Sequence, residues 1–214
     1  MNDVILPRIL SSTGTFIGRA NGRDYRLIPR IAEDTVCDGF ELMLLEDWSE
    51  RLPVVCDFLL ASGFLPETVH LEKNIGVLLS AGTEKCAEEA LEIYRRDMEA
   101  AARLGARLVV LHFWGGRLSD YHIDKNLPLI PLFYDIAAQY GILLTIENIP
   151  CVYGTPLFMW NRIAAYYPEA KFIFDTRFGG FHNEYKKIFA SPHWKNVCHM
   201  HISDFGGEMI HPIL

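Results

Sequence analysis

The strongest constraint in this sequence is a rhythm: short apolar runs alternate with polar loops and amphipathic stretches along the whole chain. The apolar runs fall at Arg8–Ser12, Gly39–Leu44, Thr68–Leu71, Leu108–His112, Ile142–Glu147, Phe172–Asp175 and Val197–His201. Successive starts are separated by the length of one strand plus a crossover helix, the repeat of a parallel βαβ unit. Runs such as Leu108-Val109-Val110-Leu111 and Ile142-Leu143-Leu144-Thr145-Ile146 are apolar on both faces. Strands of that kind belong to parallel sheets covered by helices.

The intervening segments carry helix signals. Ala87, Leu91, Tyr94, Met98 and Ala101 recur at steps of four and three, which places them on one helical face. That helix is expected to stop before Gly105, a residue suited to a left-handed cap. Thr155-Pro156 reads as an N-cap and first helical position, and Pro168 ends the same helix. Tyr140-Gly141 ends another.

Regular alternation of strand and helix means an α/β fold with a parallel sheet. A nucleotide-binding open sheet requires a glycine-rich phosphate loop after an early strand. The first strand here leads into Ser11-Ser12-Thr13-Gly14-Thr15, which is neither such a fingerprint nor a P-loop. Polar residues instead recur at the ends of several strands, as they do where a barrel assembles a site. The expected architecture is therefore a (β/α)8 TIM-type barrel as one domain over residues 1–214. Seven strands are recognisable and the eighth βα unit is truncated or atypical. Such a barrel has two unpaired edges, so closure is expected from missing sequence, a partner strand or an irregular connection. A homo-oligomer is one consequence.

Composition narrows the function classes. Half the residues are hydrophobic, as in a soluble enzyme, and no apolar run is long enough to span a bilayer. The five scattered cysteines, Cys37, Cys56, Cys86, Cys151 and Cys198, form no CxxC pair and read as reduced thiols of a cytoplasmic protein. No membrane partner is expected. A net charge of −7 offers no electrostatic footprint for nucleic acid.

Chemistry concentrates at the strand ends. Leu143, Thr145 and Glu147 share one face, so Glu147 is an inward acid that needs a metal, a base or a cationic side chain. Asp175 ends Phe172-Ile173-Phe174 in the same way, although an Asp there also caps the next helix. His199 and His201 lie on one face of the last strand, with His201 nearer the mouth. Asp204, three residues on, suits a partner that orients an imidazole, and His199 belongs with it in that supporting role. His70 and His112 add two further imidazoles, and Trp114 follows in the loop after His112. Five ionisable residues on five successive strands point to one site. Carboxylates and imidazoles without thiolates suit Zn²⁺, Mn²⁺, Co²⁺ or Mg²⁺. Glu41, at the second strand's end, reads equally as a substrate hydroxyl contact or a core ion pair.

Four segments carry a family resemblance: Leu104-Gly-Ala-Arg-Leu-Val-Val-Leu-His112, Thr145-Ile-Glu147-Asn148, Phe174-Asp175-Thr176 and His201-Ile-Ser-Asp204. In order and spacing the chain resembles the xylose-isomerase-like TIM-barrel superfamily, which holds sugar-phosphate isomerases and epimerases and apurinic-site endonucleases of the endonuclease IV type. The resemblance implies one divalent ion held by Glu147, Asp175 and His201, with Glu147 also catalytic. It implies an enediolate route on a small sugar or sugar phosphate, with His112, His70, Trp114 and Glu41 toward substrate. The family's fourth ligand, a strand-eight Glu, has no counterpart before His211-Pro212-Ile213-Leu214, and Phe178 stands where relatives often carry a His. In the endonuclease branch, histidines matched by His70 and His112 join a multi-zinc cluster. A metal-dependent phosphodiester hydrolase and a non-catalytic sugar- or metal-binding remnant are therefore the alternatives.

Overall fold

The structure, a computed structural model, describes residues 7–203. Seven strands form one parallel sheet in sequence order: β1 (Leu10–Ser12), β2 (Gly39–Met43), β3 (Thr68–His70), β4 (Leu108–Leu111), β5 (Leu143–Glu147), β6 (Phe172–Asp175) and β7 (Val197–His201). Each lies within two residues of the expected run at either end. Helices α1 (Ile28–Glu33), α2 (Leu52–Ala61), α3 (Asn74–Ser80), α4 (Glu84–Arg103), α5 (Ile123–Asn126), α6 (Ile130–Gln139), α7 (Pro156–Tyr166), α8 (Thr176–Phe181) and α9 (Tyr185–Phe189) fill the crossovers. This is a TIM-like barrel without its eighth unit among the described residues. No strand among them pairs with the outer side of β1 or β7. The segment after Ser203 lies outside them.

The helix boundaries follow the local chemistry read from the sequence. The Thr83 hydroxyl accepts the Cys86 amide at the start of α4, and Gly105 takes φ +77° just beyond its end. The Thr155 hydroxyl accepts the Phe158 amide, with Pro156 in the first turn of α7. Gly141, at φ +66°, follows α6. Of the expected stripe on α4, Tyr94, Met98 and Ala101 are buried, together with Ala90, while Ala87 and Leu91 are half-buried. Each such fully buried large side chain contributes about 1.5–3 kcal/mol of transfer free energy.

The outward residues of the strands, among them Leu42, Val69, Val109, Leu144, Ile146, Phe172 and Phe174, pack with Trp48, Trp114 and Trp160 in one core beneath the helices. The inward residues are of another kind: Glu41, Thr68, His70, Thr145, Glu147 and Asp175 are all buried and polar. The sheet curls far enough for Glu41 on β2 to hydrogen-bond His201 on β7, 160 positions away. No helix among the described residues is long and apolar enough to cross a membrane.

Candidate metal centre

Glu147 sits at the middle of the strand-end cluster, 2% exposed. Its Oε1 lies 2.6 Å from His201 Nδ1, and its Oε2 lies 2.6 Å from His112 Nε2 and 3.4 Å from His70 Nε2. Among the described residues the side chains paired with it are imidazoles, where a cationic side chain such as Arg or Lys was one reading of the sequence. Burial alone would push its carboxyl up, but the charges and hydrogen bonds of His201 and His112 outweigh that and hold it well below the usual carboxylate range.

Asp175 comes from the neighbouring strand, paired in register with His201. Its capping reading is seen directly, and its carboxylate also faces the cluster. Its Oδ1 accepts the Phe178 amide and caps α8, while an oxygen of the same carboxylate lies in the cluster with Glu147 and His201. Burial, followed by the Glu147 charge, raises its pKa. The strand end is clamped by Asn148, whose Oδ1 accepts the Asp175 amide at 2.5 Å and whose Nδ2 donates to the Asp175 carbonyl at 3.1 Å. A second clamp joins the Thr176 hydroxyl to the Ser203 backbone, tying the end of β6 to that of β7.

His201 is bracketed by two acids. Burial opposes its charge, yet Glu147 and Glu41 hold its pKa well above the ordinary value. Burial drives His112 the other way, to about 4 in spite of Glu147. His70 stands edge-on to His112, with ring centroids 4.8 Å apart. Its Nδ1 meets the Leu71 carbonyl at 2.8 Å, and a carbonyl only accepts, so the proton sits on Nδ1.

Glu41 faces two histidines of β7. Its Oε2 lies 3.0 Å from His201 Nε2 and 3.8 Å from His199 Nε2 and accepts the Thr68 hydroxyl at 3.4 Å. Burial would raise its pKa, but the His201 hydrogen bond and the surrounding imidazoles bring it to about 2.

Among the described residues three donor groups result, each with ligand atoms within 4.8 Å of one another: Glu147–Asp175–His201, His70–His112–Glu147 and Glu41–His199–His201. Two carboxylates with one imidazole, and no thiolate, form a set that fits a hard or borderline divalent cation.

Trp114, read as a substrate contact or shield, has no exposed surface. Its indole lies in the core and its N–H donates to the Pro150 carbonyl at 3.2 Å, so it supports the loop from below. His182 spends Nε2 on the Cys151 amide and joins none of the three groups. Asp204 lies outside the described residues. Sequence reasoning missed Asn148 as a clamp. It also missed Asp97, an acid on the apolar stripe of α4, three residues after Tyr94 and next to Met98. Both were legible as polar residues at positions the pattern buries.

Fold and site together define a (β/α) barrel with an acid–imidazole cluster at the carboxyl-terminal mouth of its strands. The comparisons narrow the fold. No family model matches the chain, and no curated protein matches it in sequence. Solved structures do. A 3-keto-D-glucoside 4-epimerase from E. coli superposes with TM-score 0.67 at 16% identity, over 93% of this chain and 80% of its own. A D-tagatose 3-epimerase-like protein gives 0.66 at 17%, over 95% and 79%. A D-allulose 3-epimerase from Methylomonas sp., in complex with D-allulose, gives 0.63 at 17%, over 92% and 73%. The chain has the xylose-isomerase-like fold.

Proposed function

We propose that this chain is a divalent-metal-dependent isomerase or epimerase, acting on a small sugar or sugar phosphate through an enediolate. The observation that carries this reading is the convergence of Glu147, Asp175 and His201 from three successive strands. The sugar epimerases that share the fold favour the substrate class.

Glu147, Asp175 and His201 would hold the ion, one of Mn²⁺, Zn²⁺, Co²⁺ or Mg²⁺. When bound it supplies Lewis-acid stabilisation of the charge that develops on adjacent substrate oxygens. The chain does the rest. Glu147 is one acid/base group, taking the carbon-bound proton on Oε2; in isomerisation it returns that proton to the neighbouring carbon, whereas epimerisation needs a second acid/base group on the opposite face of the enediolate. His112 Nε2 steadies that oxygen by donating to it while it is anionic. The edge-on rings of His70 and His112 form the wall against which the substrate's hydroxyls are held. Asn148 fixes the backbone from which Asp175 projects.

The test joins metal analysis to proton exchange. The purified chain is expected to hold about one divalent ion, lost in Glu147→Gln. It is expected to exchange a carbon-bound proton of a ketose with solvent deuterium only when metal is present. Exchange indifferent to chelator, or a chain that takes up no ion, overturns the reading.

A second reading rests on the neighbouring trio, His70, His112 and Glu147. Two ions sharing Glu147 suit a metal-activated water attacking a phosphodiester. Nicking of abasic DNA that disappears with chelator would favour it. Metal binding without turnover on either substrate would favour a non-catalytic binding protein.

A further inference from the structure

His201 has two ring nitrogens, and they face different acids. Nδ1 lies 2.6 Å from Glu147 Oε1 and Nε2 lies 3.0 Å from Glu41 Oε2. The acids come from opposite parts of the sheet, Glu147 from β5 and Glu41 from β2. An ion on one nitrogen therefore leaves the other for a hydrogen bond.

The two sides differ in what they offer. The Nδ1 side holds two buried carboxylates, Glu147 and Asp175, at 2% and 4% exposure. The Nε2 side holds the single carboxylate of Glu41, which also accepts the hydroxyl of Thr68, its partner in the β2–β3 register. Two carboxylates make the stronger cation seat, and one braced carboxylate makes the better fixed acceptor.

We propose that Glu41 is a positioning residue: it accepts the Nε2–H of His201 and so presents Nδ1 to Glu147 and Asp175 as the metal-binding nitrogen. The inference rests on the metal-site reading above and adds the element that sets the site's handedness. A metal-bound imidazole almost always donates its other N–H to a carboxylate, carbonyl or water, which fixes the ring's orientation and strengthens its donor nitrogen. Asp204 was the sequence's candidate for that part. Glu41 stands at hydrogen-bond distance and is 3% exposed. Its Oε2 already meets two donors, which leaves that oxygen ill-suited to a substrate hydroxyl.

The experiment is ¹⁵N-histidine NMR on wild type, Glu41→Gln and Glu41→Ala, metal-free and loaded with ¹¹³Cd²⁺, with Mn²⁺ affinity measured by titration. In metal-free wild type a His201 Nε2–H signal protected from exchange is expected, and it should vanish in Glu41→Ala. In the loaded protein the cadmium should couple to His201 Nδ1. Mn²⁺ affinity should fall about 10- to 100-fold in Glu41→Ala. Glu41→Gln should recover much of it, because the amide oxygen still accepts. Urea unfolding of both variants separates this effect from misfolding.

Cadmium coupled to Nε2 would overturn the proposal, since the ion would then sit with Glu41 and His199. An unprotected Nε2–H in wild type, or unchanged Mn²⁺ affinity in a folded Glu41→Ala, would overturn it too. A wild type that takes up neither ion, yet keeps the protected Nε2–H, would remove the functional reading while supporting Glu41's hold on His201.

Discussion

Gly76 lies in α3, packed face to face with the loop that carries His112. A Cβ at this position would stand 2.7 Å from the His112 carbonyl oxygen, 2.9 Å from the Trp114 carbonyl carbon and closer still to the Trp114 carbonyl oxygen. All three atoms are backbone, so no rotamer change relieves the overlap. Ser80 locks the same contact from the next turn, accepting the Gly115 amide at 2.9 Å while donating to the Gly76 carbonyl at 2.8 Å. In Gly76→Ala, helix and loop must therefore part by roughly 1 Å before ordinary carbon–oxygen contact is restored. Overpacking of this kind costs about 1–3 kcal/mol, and the better helix propensity of alanine returns only about 1 kcal/mol. A net loss of up to about 2 kcal/mol is expected, or up to roughly 8 °C in Tm for a domain of this size. The loop displacement should also pull His112 from its 2.6 Å contact with Glu147 and weaken Mn²⁺ binding. Differential scanning calorimetry on the metal-free protein, followed by Mn²⁺ titration, measures both. Gly18→Ala is the control: nothing lies within 4 Å of its Cβ position and its φ of −155° suits any residue. That control should stay within about 0.5 kcal/mol of wild type. A Gly76→Ala protein as stable as wild type, with unchanged metal affinity, would falsify the claim that close backbone contact positions His112.

Two further predictions concern the helix that braces the sheet. Asp97 is fully buried on α4, accepting the Glu72 amide and both the Nε and a terminal N–H of Arg96. Burial raises its pKa to about 6, with the Glu72 amide and the Arg96 charge opposing the rise and the Glu72 charge adding to it. A carboxyl raised on folding is favoured in its protonated form, so its contribution is present below the unfolded pKa of about 4 and is lost as pH climbs through 6. Wild type should lose up to about 3 kcal/mol against Asp97→Asn between pH 4 and 6. Urea denaturation of the pair across that range reads it, and a flat or rising difference rejects it. Tyr94, also fully buried, donates its hydroxyl to the Phe133 carbonyl at 2.8 Å, joining α4 to α6. Tyr94→Phe should cost about 1 kcal/mol in urea unfolding, and a variant of equal or greater stability would mean that the hydrogen bond contributes nothing net.

Secondary structure and the chemistry of the strand ends were legible in the linear sequence because both are written at short range. A strand apolar on both faces, an Asp or Glu at its carboxyl end, a Thr-Pro pair opening a helix and a Gly closing one are all decided within a few residues. All seven runs proved to be strands, and Glu147, Asp175 and His201 proved to be neighbours. What the sequence could not contain was the degree of curl. Twist and strand register accumulate over the five strand pairs from β2 to β7, and only their sum carries Glu41 to His201. The same long-range geometry put Trp114 beneath the loop, made Asn148 a clamp for Asp175 and left Asp97 buried with Arg96 and Glu72. Periodicity says which face a side chain takes. Only the closed-up tertiary structure says what faces it, because that partner comes from another strand or helix whose distance along the chain places no limit on its distance in space.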